Sequence, residues 1–131
     1  MTDVNWLEVL DWGSDELEDL RFVGYSYLKQ GKYEIALTFF EALAVLGPGN
    51  AYDLQTLGAL HLQLNNNLQA LNFIERSLKL EPDHLPTKLN RAKALLALGY
   101  KRQGVREAEE LSKAEDTEIA DKASALLMAY N

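Results

Sequence analysis

A self-match at a 34-residue period constrains this chain more than any other feature of it. The stretch Leu20 to Pro48, LRFVGYSYLKQGKYEIALTFFEALAVLGP, fits again on Leu54 to Pro82. Under that shift Gly24 falls on Gly58, Ala36 on Ala70, Phe40 on Ile74, Leu46 on Leu80 and Pro48 on Pro82. Each copy reads as two amphipathic helices joined by a tight turn, because apolar residues recur at three- and four-residue spacing on either side of a turn signal. One such helix pair cannot bury its own apolar face. Stacked pairs can, so the period predicts a helical solenoid. The 47% apolar content suffices for a continuous core.

In chain order, Asp3 to Trp12 is a short apolar-patterned segment, expected to be capped by Thr2 or Asp3 and ended by a left-handed Gly13. Two roles fit it: capping the first repeat, or a homodimer contact anchored by Trp6, Leu10 and Trp12. Ser14 opens the first repeat helix, with acidic residues in its first turns that complement the helix dipole. Gly31, the Asn65-Asn66-Asn67 run and Gly99 are expected turns. Gly47-Pro48 and Glu81-Pro82 end the second helices, since proline cannot continue a helix. The third copy is degenerate, with Gly104 and Ala108 where Ala and a bulky apolar residue are due. A last helix from Asp116 or Thr117 to about Ala129 closes the stack. The expected fold is all-α. It is one domain over 1–131, with an N-terminal helix in 1–13, repeats at 17–50 and 51–84, a degenerate repeat at 85–115 and a capping helix at 116–131.

These residues resemble the tetratricopeptide repeat. The first copy supplies Gly24, Tyr27, Gly31, Tyr33, Ala36, Phe40 and Pro48; the second keeps Gly58, Ala70 and Pro82. A narrower resemblance is to the small class II chaperones of bacterial type III secretion. It rests on Gly31-Lys32-Tyr33-Glu34-x-Ala36, then Phe39 or Phe40, then Ala42-Leu43-x-Val45-Leu46, and finally Leu57-Gly58-Ala59. That resemblance implies three repeats, an acidic balance, a helical N-terminal extension and a C-terminal cap. The extension here is shorter than in chaperones of translocators, so the implied cargo is a translocator or a needle or export-apparatus component.

Composition removes several function classes. The formal charge is −7, which disfavours nucleic acid, whose backbone is bound by clustered Lys and Arg. There is no cysteine, and so no disulfide, thiolate metal site or thiol nucleophile. Nothing resembles a signal peptide, and no apolar run nears the ~20 residues that span a bilayer; the expectation is a cytoplasmic protein without membrane insertion. His61 and His84 lack metal-site spacing. His61 occupies the position of Tyr27 and is expected to pack or to line the groove, while His84 is expected to be solvated in a turn. Glu107, Glu109 and Glu110 read as a solvated face. No serine has the context of a nucleophile elbow. Neither catalysis nor a cofactor is expected.

What the repeat predicts is a binding surface, because the first helix of each pair lines the concave side. The groove positions are Glu18, Arg21, Phe22, Tyr25, Leu28 and Lys29 in the first repeat. They are Tyr52, Gln55, Thr56, Ala59, Leu62 and Gln63 in the second, and Pro86, Leu89, Asn90, Lys93, Leu96 and Ala97 in the third. Repeat domains that grip the C-terminal carboxylate of heat-shock chaperones use Lys and Asn at positions matching Arg21, Tyr25, Thr56, Pro86 and Asn90. Only one of these is basic here. The groove is instead expected to offer apolar and aromatic pockets to an extended or helical segment of a partner protein, strongest in the N-terminal half. The expected function is a chaperone for a secretion substrate or apparatus subunit; the other reading is a scaffold joining components of a complex.

Overall fold

The computed structural model describes residues 4–130. Among them are eight helices: α1 Trp6–Leu10, α2 Ser14–Lys29, α3 Tyr33–Leu46, α4 Ala51–Gln63, α5 Asn67–Leu80, α6 Leu85–Ala97, α7 Lys101–Leu111 and α8 Thr117–Tyr130. The fold is all-α. α2/α3, α4/α5 and α6/α7 are the three helix pairs, and α8 packs on α6 and α7 at the C-terminal end.

The turn inside each pair is built the same way three times. Gly31, Asn65 and Gly99 all take left-handed backbone conformations, with φ of 76°, 63° and 90°. The next residue's N–H reaches back to the carbonyl five residues earlier: Lys32 to Tyr27 (3.0 Å), Asn66 to His61 (2.8 Å) and Tyr100 to Leu95 (2.8 Å). This doubly bonded C-terminal cap satisfies carbonyls that the helix end leaves without partners, and it accepts only residues that tolerate positive φ. The N-termini of α4 and α6 are capped by side chains one period apart: Asn50 accepts from the Asp53 N–H, and His84 from the Thr87 N–H. His84 is therefore a half-buried cap, with Nδ1 2.6 Å from Thr87 Oγ1, and not the solvated residue expected.

Side chains keep the period too. Tyr27 stacks on Phe39 at 5.6 Å, and 34 positions on His61 stacks on Phe73 at 5.4 Å. Burial lowers the His61 pKa against the pull of the Glu41 carboxylate. The unfolded chain then binds this proton at a higher pH than the folded one, so stability falls as pH drops through and below about 6.5. Urea midpoints at about pH 7.5 and about pH 5.5 should show a smaller acid-side loss in His61→Tyr than in the parent.

The core runs along the stack. Ala36, Phe40, Leu43, Leu57 and Leu60 form its first cluster; Ala70, Ile74, Leu78 and Ala94 the second; Leu89, Leu111, Ile119 and Ala123 the third. The third pair is less degenerate than its sequence suggests. Its two small residues have changed sides: Gly24 and Gly58 lie on first helices, whereas the third pair has Ala92 on α6 and Gly104 on α7, all four sites being buried. A Cβ at Gly104 would lie 2.6 Å from Leu96 Cγ, so α6 and α7 close up there instead of being spaced by a large side chain at Ala108. An ion pair adds to the packing: Arg91 Nε and Nη2 each lie 2.8 Å from an oxygen of Glu107, whose side chain is 12% exposed. Glu107 thus departs from the solvated face expected of it.

The N-terminal segment differs from expectation. Thr2 and Asp3 lie outside the described residues, and Asn5 caps α1 by accepting from the Glu8 N–H. Asp11, not Gly13, takes the left-handed position, at φ 55°. Gly13 is extended and caps α2, its N–H donating to Glu16 Oε2 at 2.9 Å. No residue of α1 is buried, and the helix touches only α3. It covers little of the first repeat.

Candidate functional site

α4 touches α6 and α6 touches α8, whereas α3, α5 and α7 do not touch one another. Helices on the inside of a curve approach more closely than those outside it, which puts α4 and α6 on the concave side, and the repeat puts their counterpart α2 in line with them. The groove positions divide there into an open part and a filled part.

The open part lies on α2 and α4. Phe22 is 71% exposed, and Tyr25 and Tyr52 are each 42% exposed. The Tyr52 ring stands edge-on to buried Phe40, with centroids 6.2 Å apart, and so rests on the core. The Lys29 ammonium lies 5.7 Å from the Tyr25 ring centroid. An exposed aromatic ring supported from below gives a contact surface with little conformational freedom to lose. Gln55 is half-buried and donates to Glu81 at 2.9 Å, and Ala59 is half-buried.

Arg21 is already engaged. Its Nε and Nη2 bind the two oxygens of Asp53 at 2.7 and 2.8 Å, and Nη1 donates to Glu18. The hydrogen bond to Asp53 is the main reason the Arg21 pKa is raised, against the opposing effect of burial, so the guanidinium stays charged. Asp53 is 1% exposed, and its own N–H donates to Asn50. α2 and α4 make no close backbone approach, so this bidentate pair clasps them together across the groove floor. Sequence reasoning missed Asp53. In isolation it is an acidic residue in the first turn of a helix, and only stacking the repeats brings it opposite the one arginine of the preceding acidic helix.

The remaining groove positions are largely core. Leu28 packs against the first cluster and Leu62 against the second. Leu89 and Leu96, expected to offer pockets, are buried. α8 covers Leu89 through Ile119 and Ala123, and Leu96 leans on Gly104. Both are corrections: the cap lies over the third repeat's part of the groove. Lys93 remains exposed beside a cleft of about 210 Å³ between α6 and α8, with Asn90, Asp116 and Lys122 on its walls. At the other end of the molecule Trp6 and Leu10 are exposed and Trp12 is half-buried. Among the described residues no cluster of three or more His, Asp or Glu could hold a metal ion, and no helix is long and apolar enough to cross a membrane.

Residues 29–111 match the family described as anaphase-promoting complex, cyclosome, subunit 3. A search of curated proteins finds no significant match. Among solved structures, the chain is similar to PcrH of Pseudomonas aeruginosa in complex with the chaperone binding region of PopD. The identity is 27% over 90% of this chain and 92% of that one, with a TM-score of 0.76. It is also similar to a chain in a type III secretion complex from Aeromonas hydrophila, at 26% identity over 98% of this chain and 89% of that one, with a TM-score of 0.79. The first tetratricopeptide domain of Spaghetti, bound to the HSP90 peptide SRMEEVD, superposes with a TM-score of 0.78 over 90% of this chain and 92% of that one, at 19% identity. That last likeness is one of fold alone. The tetratricopeptide architecture and the resemblance to type III secretion chaperones, both expected from the residues, are found here.

Proposed function

The chain belongs to the anaphase-promoting complex, cyclosome, subunit 3 family, and on that footing we propose that it is a non-enzymatic, cytoplasmic protein-binding chaperone. It holds a type III secretion substrate or apparatus subunit through an extended segment laid across α2 and α4. The observation that carries this reading is the set of exposed rings of Phe22, Tyr25 and Tyr52 on the concave side. Such rings take the place of apolar contacts that an unassembled partner cannot yet make with itself. The 27% identity to a chaperone solved with its cargo's binding region supports the same class of ligand. The charge of Arg21 is already compensated by the bidentate pair with Asp53 and by Glu18, which disfavours a peptide carboxylate as its ligand and favours an internal apolar segment.

The family name favours a second reading, a scaffold joining subunits of a larger complex. Co-expression with the secretion substrates and apparatus subunits of its own source separates the two. A chaperone retains one dominant apolar-rich partner. Tyr25→Ala with Tyr52→Ala then weakens its capture by about 2 kcal/mol, roughly thirtyfold, while helicity by circular dichroism is unchanged. Undiminished capture by the double variant would sink the groove, and recovery of several partners through other surfaces would favour the scaffold. Leu89→Ala serves as comparison: it should lower stability without selectively lowering capture.

A further inference from the structure

We propose that the N-terminal side of α2 docks a basic amphipathic helix from another protein, seated where the second helix of a preceding repeat would lie. The repeat itself says what is missing. Leu54 and Leu57 on α4 are buried, and Leu57 packs in one cluster with Ala36, Phe40 and Leu43 of the preceding α3. Their counterparts one period earlier are Leu20 and Val23 on α2. Among the described residues no helix of a preceding repeat covers these: Leu20 is half-buried and Val23 is 38% exposed, against 0% for Leu57. α1 does not take that place, since it touches only α3. What remains is a trough of about 290 Å³ walled by Trp12, Leu20 and Val23, with Glu16 and Asp19 at its edge. Its shape is half of an interface the chain makes elsewhere, and what completes that interface is a helix.

Charge identifies the chemistry of that helix. Residues 1–20 carry seven acids, Asp3, Glu8, Asp11, Asp15, Glu16, Glu18 and Asp19, and no Lys or Arg. The rest of the chain carries thirteen acids and thirteen bases, so the whole formal charge of −7 resides in this segment. Among the described residues Asp11, Asp15 and Asp19 have no cation within ion-pair distance. An apolar trough rimmed by unpaired carboxylates fits a helix with aliphatic residues on one face and Lys or Arg beside them. A second copy presenting the same face would set Glu16 and Asp19 against the same carboxylates, which costs free energy at close range. This surface is separate from the concave groove and does not depend on the groove's function.

The test uses the full chain and two synthetic probes of about five helical turns, one with Leu and Lys faces, the other with Glu in place of Lys. Fluorescence anisotropy should show the Leu/Lys probe binding at least about tenfold more tightly, with affinity falling as salt is raised. Asp15→Asn with Asp19→Asn should weaken it about tenfold, and so should Trp12→Ala with Val23→Ser. Glu110→Gln with Asp121→Asn removes two exposed carboxylates far from the trough and should leave binding within about twofold. Equal loss from this control pair would mean attraction to net charge alone and would overturn the proposal. So would indifference to the first two variants, or a dimer in sedimentation that Trp12→Ala with Val23→Ser abolishes. Asp15 and Asp19 are exposed, so their variant remains informative even if the Trp12 variant misfolds.

Discussion

Phe40→Ala should lower the stability of this protein by about 3–5 kcal/mol and its melting temperature by roughly 10–20 °C. The ring is fully buried at the centre of the first cluster, where it joins α3 to Leu57 and Leu60 of the next repeat. It also packs closely on α2: a Cβ at Gly24 would lie 3.0 Å from its Cε2. Truncation removes the transfer free energy of the ring and leaves a cavity that two helix pairs would have to move together to fill. The third repeat, which has Ala108 at this register position, closes up by having glycine at 104. The first repeat has Ala36 there and cannot close up in the same way. Urea unfolding followed by circular dichroism measures the loss. A loss below about 1 kcal/mol would mean that the first pair is not coupled to the second as described. The groove should suffer as well, because the Tyr52 ring rests on Phe40.

Asp53→Ala should cost about 3 kcal/mol, the low end for removing one member of a buried ion pair. The pair is bidentate at 2.7 and 2.8 Å, and the Asp53 side chain is 2% exposed. Without Asp53 the Arg21 guanidinium is left partly buried with only the exposed Glu18 as partner. Arg21 has a side-chain exposure of 15% and can turn toward water, which keeps the loss from the top of the range. Arg21→Met with Asp53→Leu should recover much of the stability, since an apolar pair of similar volume removes both desolvation costs. If the single and double variants are equally unstable, the clasp does not act as a pair, and a double-mutant cycle reads this directly.

Much of the fold could be read from the chain. The turns at Gly31, Asn65 and Gly99, the helix ends before Pro48 and Pro82, and the succession of three helix pairs and a cap follow from local periodicity and turn chemistry. The position of His61 relative to Tyr27 pointed to a packed or groove-lining side chain, and the structure stacks it on Phe73. The site was less legible. Helical spacing placed Arg21, Phe22, Tyr25 and Tyr52 on one side, but it could not distinguish Leu28, Leu62, Leu89 and Leu96, which are partly or wholly core, from the aromatics that stay exposed. Nor did it reveal that Gly13 caps α2 while Asp11 turns the chain, because either residue can take a left-handed conformation.

The sequence by itself determined the period, the helices, the turns and the face each first helix turns inward. These are short-range properties, set by which residues within one or two turns can satisfy backbone groups and line up apolar side chains. Only the tertiary structure decided which inward residues stay uncovered. α8 descends on Leu89 from beyond a whole helix, Asp53 meets Arg21 from the next repeat, and among the described residues nothing arrives to cover Val23. Coverage is a property of neighbours far apart in sequence, so stacking divides one repeated pattern into a sealed C-terminal end, a clasped groove and an acidic N-terminal face without a partner.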